Sequence, residues 1–96
     1  MKLPILTYFF EGYNIPSLRY LYPTNTDLWN AFNKQEAKTL KLAMLREINW
    51  VLNNDEIEQK LVMKYLNQVG IMGAIQFKTT TDMLHFLTQM KENIYY

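Results

Sequence analysis

The chain has no cysteine and a single histidine. The first absence excludes disulfide frameworks, thiolate metal sites and cysteine nucleophiles together; the second leaves His85 as the sole imidazole, too little for a histidine-built metal centre. The three glycines, Gly12, Gly70 and Gly73, are scattered, and Gly70-Ile71-Met72-Gly73 matches neither nucleotide-binding fingerprint. No stretch approaches the ~18 consecutive apolar residues of a membrane span. Charge of one sign is also missing: the formal net charge is +1, so no global field steers the protein to nucleic acid or to an anionic membrane. No cofactor, metal or membrane is expected from this inventory.

Apolar residues make up 49% of the 96 positions and charged residues 20%, which supplies material for one core. A single globular domain over residues 1–96 is expected. The start, Met1-Lys2-Leu3-Pro4-Ile5-Leu6-Thr7-Tyr8-Phe9-Phe10, is apolar after one positive charge, but Glu11 follows and no small-residue cleavage site does, so it reads as part of the fold. A reducing, cytoplasmic setting suits a chain without cysteine. Lysine outnumbers arginine eight to two, and Asn, Lys, Ile and Tyr supply about a third of the chain, as expected when the encoding DNA is AT-rich. Small AT-rich genes are common in viruses and mobile elements, whose accessory proteins often act by binding a host component.

The order of elements reads as α+β. Residues 3–10 mix β-branched and aromatic side chains with a proline near the start and are expected to form a first strand. Residues 15–22 fit either a second strand or a short helix with Pro16 at its first position, the helix being slightly favoured. Thr24-Asn25-Thr26-Asp27 offers N-caps for one or two helical turns carrying Leu28 and Phe32. Asn33 stands three residues before Glu36 as an approximate capping box, predicting a long helix from about 34 to 52. Asn54 caps a further helix with Asp55, Glu56 and Glu58 in its first turn and Gly70 at its stop. Residues 71–78 alternate apolar and polar from Ile75 on and read as a strand. Thr79 and Asp82 then form a capping box for a last helix to about Asn93. The expected architecture is three main helices packed on a small two- or three-stranded antiparallel sheet.

On a helical wheel the 34–52 helix places Ala37, Leu40, Met44, Leu45, Ile48, Val51 and Leu52 on one arc of about 140°, the width of a core-facing stripe. Leu42, Ala43 and Trp50 fall outside it. Trp50 and Leu42 are therefore candidates for a partner-facing patch, since tryptophan is enriched at binding hot spots. Tyr13, Tyr20 and Trp29 join them as candidate partner-binding residues from the aromatic-rich first third of the chain. The 55–68 helix is expected to bury Ile57, Leu61, Val62, Tyr65, Leu66 and Val69, with Gln59, Lys60, Lys64 and Asn67 outside. Lys34, Lys38 and Lys41, with Arg46 nearby, form a basic row that suits phosphate contacts. His85 lies opposite Phe86, Met90 and Met83 on the last helix, and Asp82 three residues earlier is a surface neighbour rather than an orienting carboxylate.

These features point away from an enzyme and toward a small non-enzymatic protein-binding module, an inhibitor or regulator encoded by a virus or mobile element and acting on a host macromolecule. A nucleic-acid-binding regulator using the lysine row is the second reading. A small-molecule sequestering protein using the tyrosines is the third. Self-association is compatible with all three.

Overall fold

The computed structural model describes residues 2–95 and contains six helices: α1 Pro4–Gly12, α2 Pro16–Leu21, α3 Asn25–Gln35, α4 Lys38–Leu52, α5 Glu56–Val69 and α6 Thr80–Asn93. Among the described residues there is no strand, so the expected α+β architecture with a sheet gives way to an all-helical one. Helices α1, α4, α5 and α6 pack on one another, α3 lies against α6, and α2 is a short connector.

The expected strand over residues 3–10 is α1. Leu3, Leu6, Phe10 and Tyr13 are all buried, a 3-4-3 spacing that puts them on one helical face, whereas a strand would have buried alternate residues. Pro4 sits at the first helical position, where its missing N–H costs nothing. No side chain of its own caps this helix. Instead the Glu47 carboxylate, reaching from α4, accepts the amides of Ile5 (3.0 Å) and Leu6 (2.9 Å). A β-rich composition was outweighed by tertiary packing and by a cap supplied from about forty residues away, which no local reading of the sequence contains.

The expected helix over 34–52 is interrupted. α3 ends at Gln35, Glu36 and Ala37 are extended, and α4 starts at Lys38. The corner is held from α1: the Tyr8 and Tyr13 hydroxyls both donate to Glu36 Oε2. Asn33, expected to cap the long helix, instead bonds the α6 end, donating to the Asn93 carbonyl and accepting from the Tyr95 amide. At the other end of α3, Thr24 and Asp27 form a full capping box. α5 is capped by Asp55 rather than Asn54, and its C-cap is Gly70. α6 begins with the expected box of Thr79 and Asp82, both halves formed.

The expected strand at 71–78 is a loop, and its alternation has a different cause. Ile75 and Phe77 are buried and Gln76 is exposed between them. The Asn14 side chain accepts from the Ile75 amide (3.0 Å) and donates to its carbonyl (3.1 Å); the Asn67 side chain does the same for Phe77 (2.9 and 2.8 Å). Two asparagine side chains thus stand where a neighbouring strand would be. A Cβ on Gly73 would meet Asn14 at 2.2 Å, so glycine is required for the loop to lie this close.

The core holds Leu6, Phe9, Phe10, Phe32, Met44, Ile48, Leu66, Met83, Leu87 and Met90. Phe86 contacts Phe10, Phe77 and Trp29 with ring centroids 5.4–5.9 Å apart, and Phe9, Tyr13 and Phe32 form a second cluster. Of the residues expected to be core on α4, Leu40, Leu45 and Leu52 are half-buried against this cluster and Ala37 is exposed.

Candidate functional site

α5 is turned relative to expectation. Gln59 is buried, its amide donating to the Val51 carbonyl at 3.1 Å, while Ile57, Leu61 and Tyr65 are 74%, 46% and 38% exposed. Their spacing of four aligns them in one stripe along the outer side of α5. A buried amide that must reach a carbonyl of α4 fixes the rotation of α5, and the apolar stripe is displaced outward as a result. Amphipathic periodicity reports that a stripe exists; it does not say which of two adjacent apolar arcs goes inward.

The stripe has a neighbour on α4. α1 runs antiparallel to α4 and parallel to α5: its start meets Glu47 and its Thr7 hydroxyl lies 2.7 Å from the Tyr65 hydroxyl, while its far end meets Glu36 and, through Asn14, Gly70. Trp50 lies one turn beyond Glu47 toward the α4–α5 corner, and Leu61 and Ile57 lie one and two turns beyond Tyr65 in the same direction. Trp50, Leu61 and Ile57 therefore lie on the parts of α4 and α5 that extend past the start of α1. Trp50 is 42% exposed. Lys2, Leu3, Pro4, Thr7 and Tyr65 line a largely apolar depression of about 450 Å³ at the edge of this region.

The rim carries more basic than acidic residues. On the α5 wheel the exposed Lys60 and Lys64 border Ile57 and Leu61 on the side away from α1. Arg46, exposed one turn before Trp50, borders the other side, and Lys2 lies at the end of the groove. Glu58, half-buried beside the stripe, and Glu56, four residues before Lys60 and lining the same cleft against α6, offset part of this charge, and Glu47 is occupied by the α1 amides.

Comparison with protein-family models, with curated proteins and with solved structures finds no match. The site is therefore read from its own chemistry.

The other candidate residues are dispersed. Trp29 is buried against Phe86, with its Nε1 unpartnered among the described residues. Tyr13 is buried and stacked on Phe9. Burial pushes its phenol well above the usual tyrosine range, and the hydrogen bond to Glu36 adds to the shift; the Tyr8 phenol is raised chiefly by its own bond to Glu36. Tyr20 is exposed on α2, remote in sequence from the stripe, and Leu42 is half-buried. In the basic row, Lys34 and Lys38 are exposed on different helices, Arg46 borders Trp50, and Lys41 is buried with its ammonium donating to the Asn33 carbonyl at 3.0 Å, where it closes the end of α3. His85 is exposed. Among the described residues no group of His, Asp and Glu is arranged to hold a metal ion, and no helix is long and apolar enough to cross a membrane.

Sequence reasoning named Trp50 and missed Ile57, Leu61 and Tyr65, which it had assigned to the core. Helical spacing places Gln59 beside Leu66, at the far side of the apolar arc from Ile57, and its burial there marks the inward direction only once its bond to Val51 is seen.

Proposed function

We propose that the protein is a small protein-binding module whose contact face is the outer side of the α4–α5 corner, centred on Trp50, Ile57, Leu61 and Tyr65. The observation that carries this reading is the alignment of three large, exposed apolar side chains along one face of α5, with a further exposed tryptophan near the end of α4. A stripe of apolar side chains spaced four apart suits the apolar face of an amphipathic helix of the partner.

Charge selects among occupants. A second copy of the chain would bring a second set of the same basic residues, Lys60, Lys64 and Arg46, into one interface, and an excess of like charge across an interface is costly. An amphipathic helix with acidic flanks satisfies both the apolar floor and the cationic rim. The module acts by occupying such a helix, in the manner of an inhibitor or regulator.

Titration with a designed helical peptide tests this. The peptide carries leucines and a tryptophan-free apolar face at helical spacing with glutamates on both flanks; a control has lysines in place of the glutamates. In a Trp29→Phe background Trp50 is the only tryptophan, since the chain has two. The acidic peptide is expected to blue-shift Trp50 emission in a salt-sensitive manner and the lysine peptide to leave it unchanged. Equal responses to both peptides, or none to either, would count against the reading.

A further inference from the structure

The 75–77 segment has two edges and only one is filled. Ile75 and Phe77 turn their backbone groups toward α1 and α5, where Asn14 and Asn67 pair with them. In an extended chain, alternate residues present N–H and C=O to opposite edges, so the N–H and C=O of Gln76 face the other way. No hydrogen bond among the described residues uses them. The Gln76 side chain folds back instead, donating to the Gly70 carbonyl at 2.6 Å.

That open edge borders a cleft of about 390 Å³ between the segment and the wall formed by α6 and α2, with Arg19, Asn25, His85 and Phe86 among its lining. Phe86 supplies an aromatic floor continuous with the Phe10–Phe77–Trp29 cluster. The Arg19 guanidinium is held in place by two uncharged acceptors, the Pro23 carbonyl (3.2 Å) and Asn25 Oδ1 (2.7 Å), so it is oriented without being neutralised. Asp82 also lines the cleft, with its carboxylate engaged by the Thr79 amide at 3.2 Å.

We propose that this cleft binds the C-terminal end of an extended peptide, which pairs with the Gln76 backbone as a short added strand and places its terminal carboxylate on Arg19. Strand addition to an open edge derives affinity from main-chain hydrogen bonds and selectivity from flanking pockets. The last apolar side chain of the peptide rests on Phe86. The volume is at the lower end of the range for ligand pockets, which suits a chain end of a few residues better than a segment passing through. A planar guanidinium takes a carboxylate through two parallel hydrogen bonds, and a fixed one does so with little ordering cost. This site is separate from the α4–α5 face and does not depend on it.

The test uses fluorescein-labelled hexapeptides ending in valine or leucine, in three forms: free C-terminal acid, C-terminal amide, and C-terminal amide with an internal aspartate. Binding is followed by anisotropy and by amide chemical shifts of the full chain. The free-acid form is expected to bind and to shift the Gln76 amide and the Arg19 side chain, the amide to bind roughly tenfold or more weaker, as loss of a charge-assisted pair implies. Gln76→Pro removes the backbone donor and is expected to lose binding, with the spectrum of the rest of the chain reporting that it is folded. Arg19→Gln is expected to erase the difference between acid and amide. Equal binding of acid and amide, preference for the internal aspartate form, shifts that avoid Gln76, or no binding of any form would each overturn the proposal.

Discussion

The Glu47 carboxylate accepts the Ile5 amide at 3.0 Å and so joins the middle of α4 to the first turn of α1. The first four amides of a helix have no partner within it, and a carboxylate placed there also meets the positive end of the helix dipole. Replacing Glu47 with Ala is therefore expected to cost about 1–2 kcal/mol, and with Gln somewhat less, since the amide keeps an acceptor and loses the charge. Urea denaturation of the two variants checks this. Equal stability of Glu47→Ala and the wild type would mean that α1 is not held from α4.

The paired asparagines make a second prediction. Asn14 is buried, and removing its side chain leaves the Ile75 amide and carbonyl without partners in a place water does not reach. Asn14→Ala is expected to cost roughly 2–4 kcal/mol, because unsatisfied buried groups cost about 1–3 kcal/mol each. Asn14→Asp should do no better, since a carboxylate can accept from the Ile75 amide but cannot donate to its carbonyl. Amide exchange locates the effect: Ile75 should lose protection before the helical core does.

Alkaline pH should destabilise the fold through Tyr13. Its phenol titrates well above the ordinary value of 10.0 in the folded chain, chiefly because it is buried, and near the ordinary value once unfolded. The stabilisation is present below about pH 10 and is lost as pH rises above it, because the unfolded state then releases a proton that the folded state keeps. Tyr13→Phe removes the Glu36 bond and lowers stability at neutral pH, but its stability should fall less steeply above pH 10 than that of the wild type. Parallel curves for the two chains in thermal melts across pH 8–11 would contradict the assignment.

Where the sequence was informative, the information was local. The N-cap within residues 24–27 and the capping box of Thr79 with Asp82 are short-range signals, and the Gly70 stop and the Pro16 start are single-residue ones. What escaped it was non-local. The cap on α1 comes from Glu47, the corner at Glu36 is held by Tyr8 and Tyr13, and the extended 75–77 segment is paired by asparagines rather than by a strand. The exposed stripe escaped for a related reason: Ile57 and Leu61 are as apolar as Val62 and Leu66, and the bond of Gln59 to Val51 that marks the inward arc is tertiary.

That distinction between the two arcs is measurable. Leu66 is fully buried and Leu66→Ala should cost roughly 2–5 kcal/mol, whereas Leu61→Ala, at a half-exposed position, should cost under about 1 kcal/mol. Similar losses for both, read from chemical denaturation, would place Leu61 in the core and close the proposed face.

The most direct test of the α4–α5 face is a charge exchange. Lys60 and Lys64 are exposed, so Lys60→Glu with Lys64→Glu should leave the fold intact, as circular dichroism would show. With the designed helical peptides, the wild type is expected to bind the glutamate-flanked form and the double variant the lysine-flanked form, both binding events being abolished by Leu61→Asp and weakened by salt. An unchanged preference in the double variant, or binding that survives Leu61→Asp, would show that the partner helix does not sit on this face.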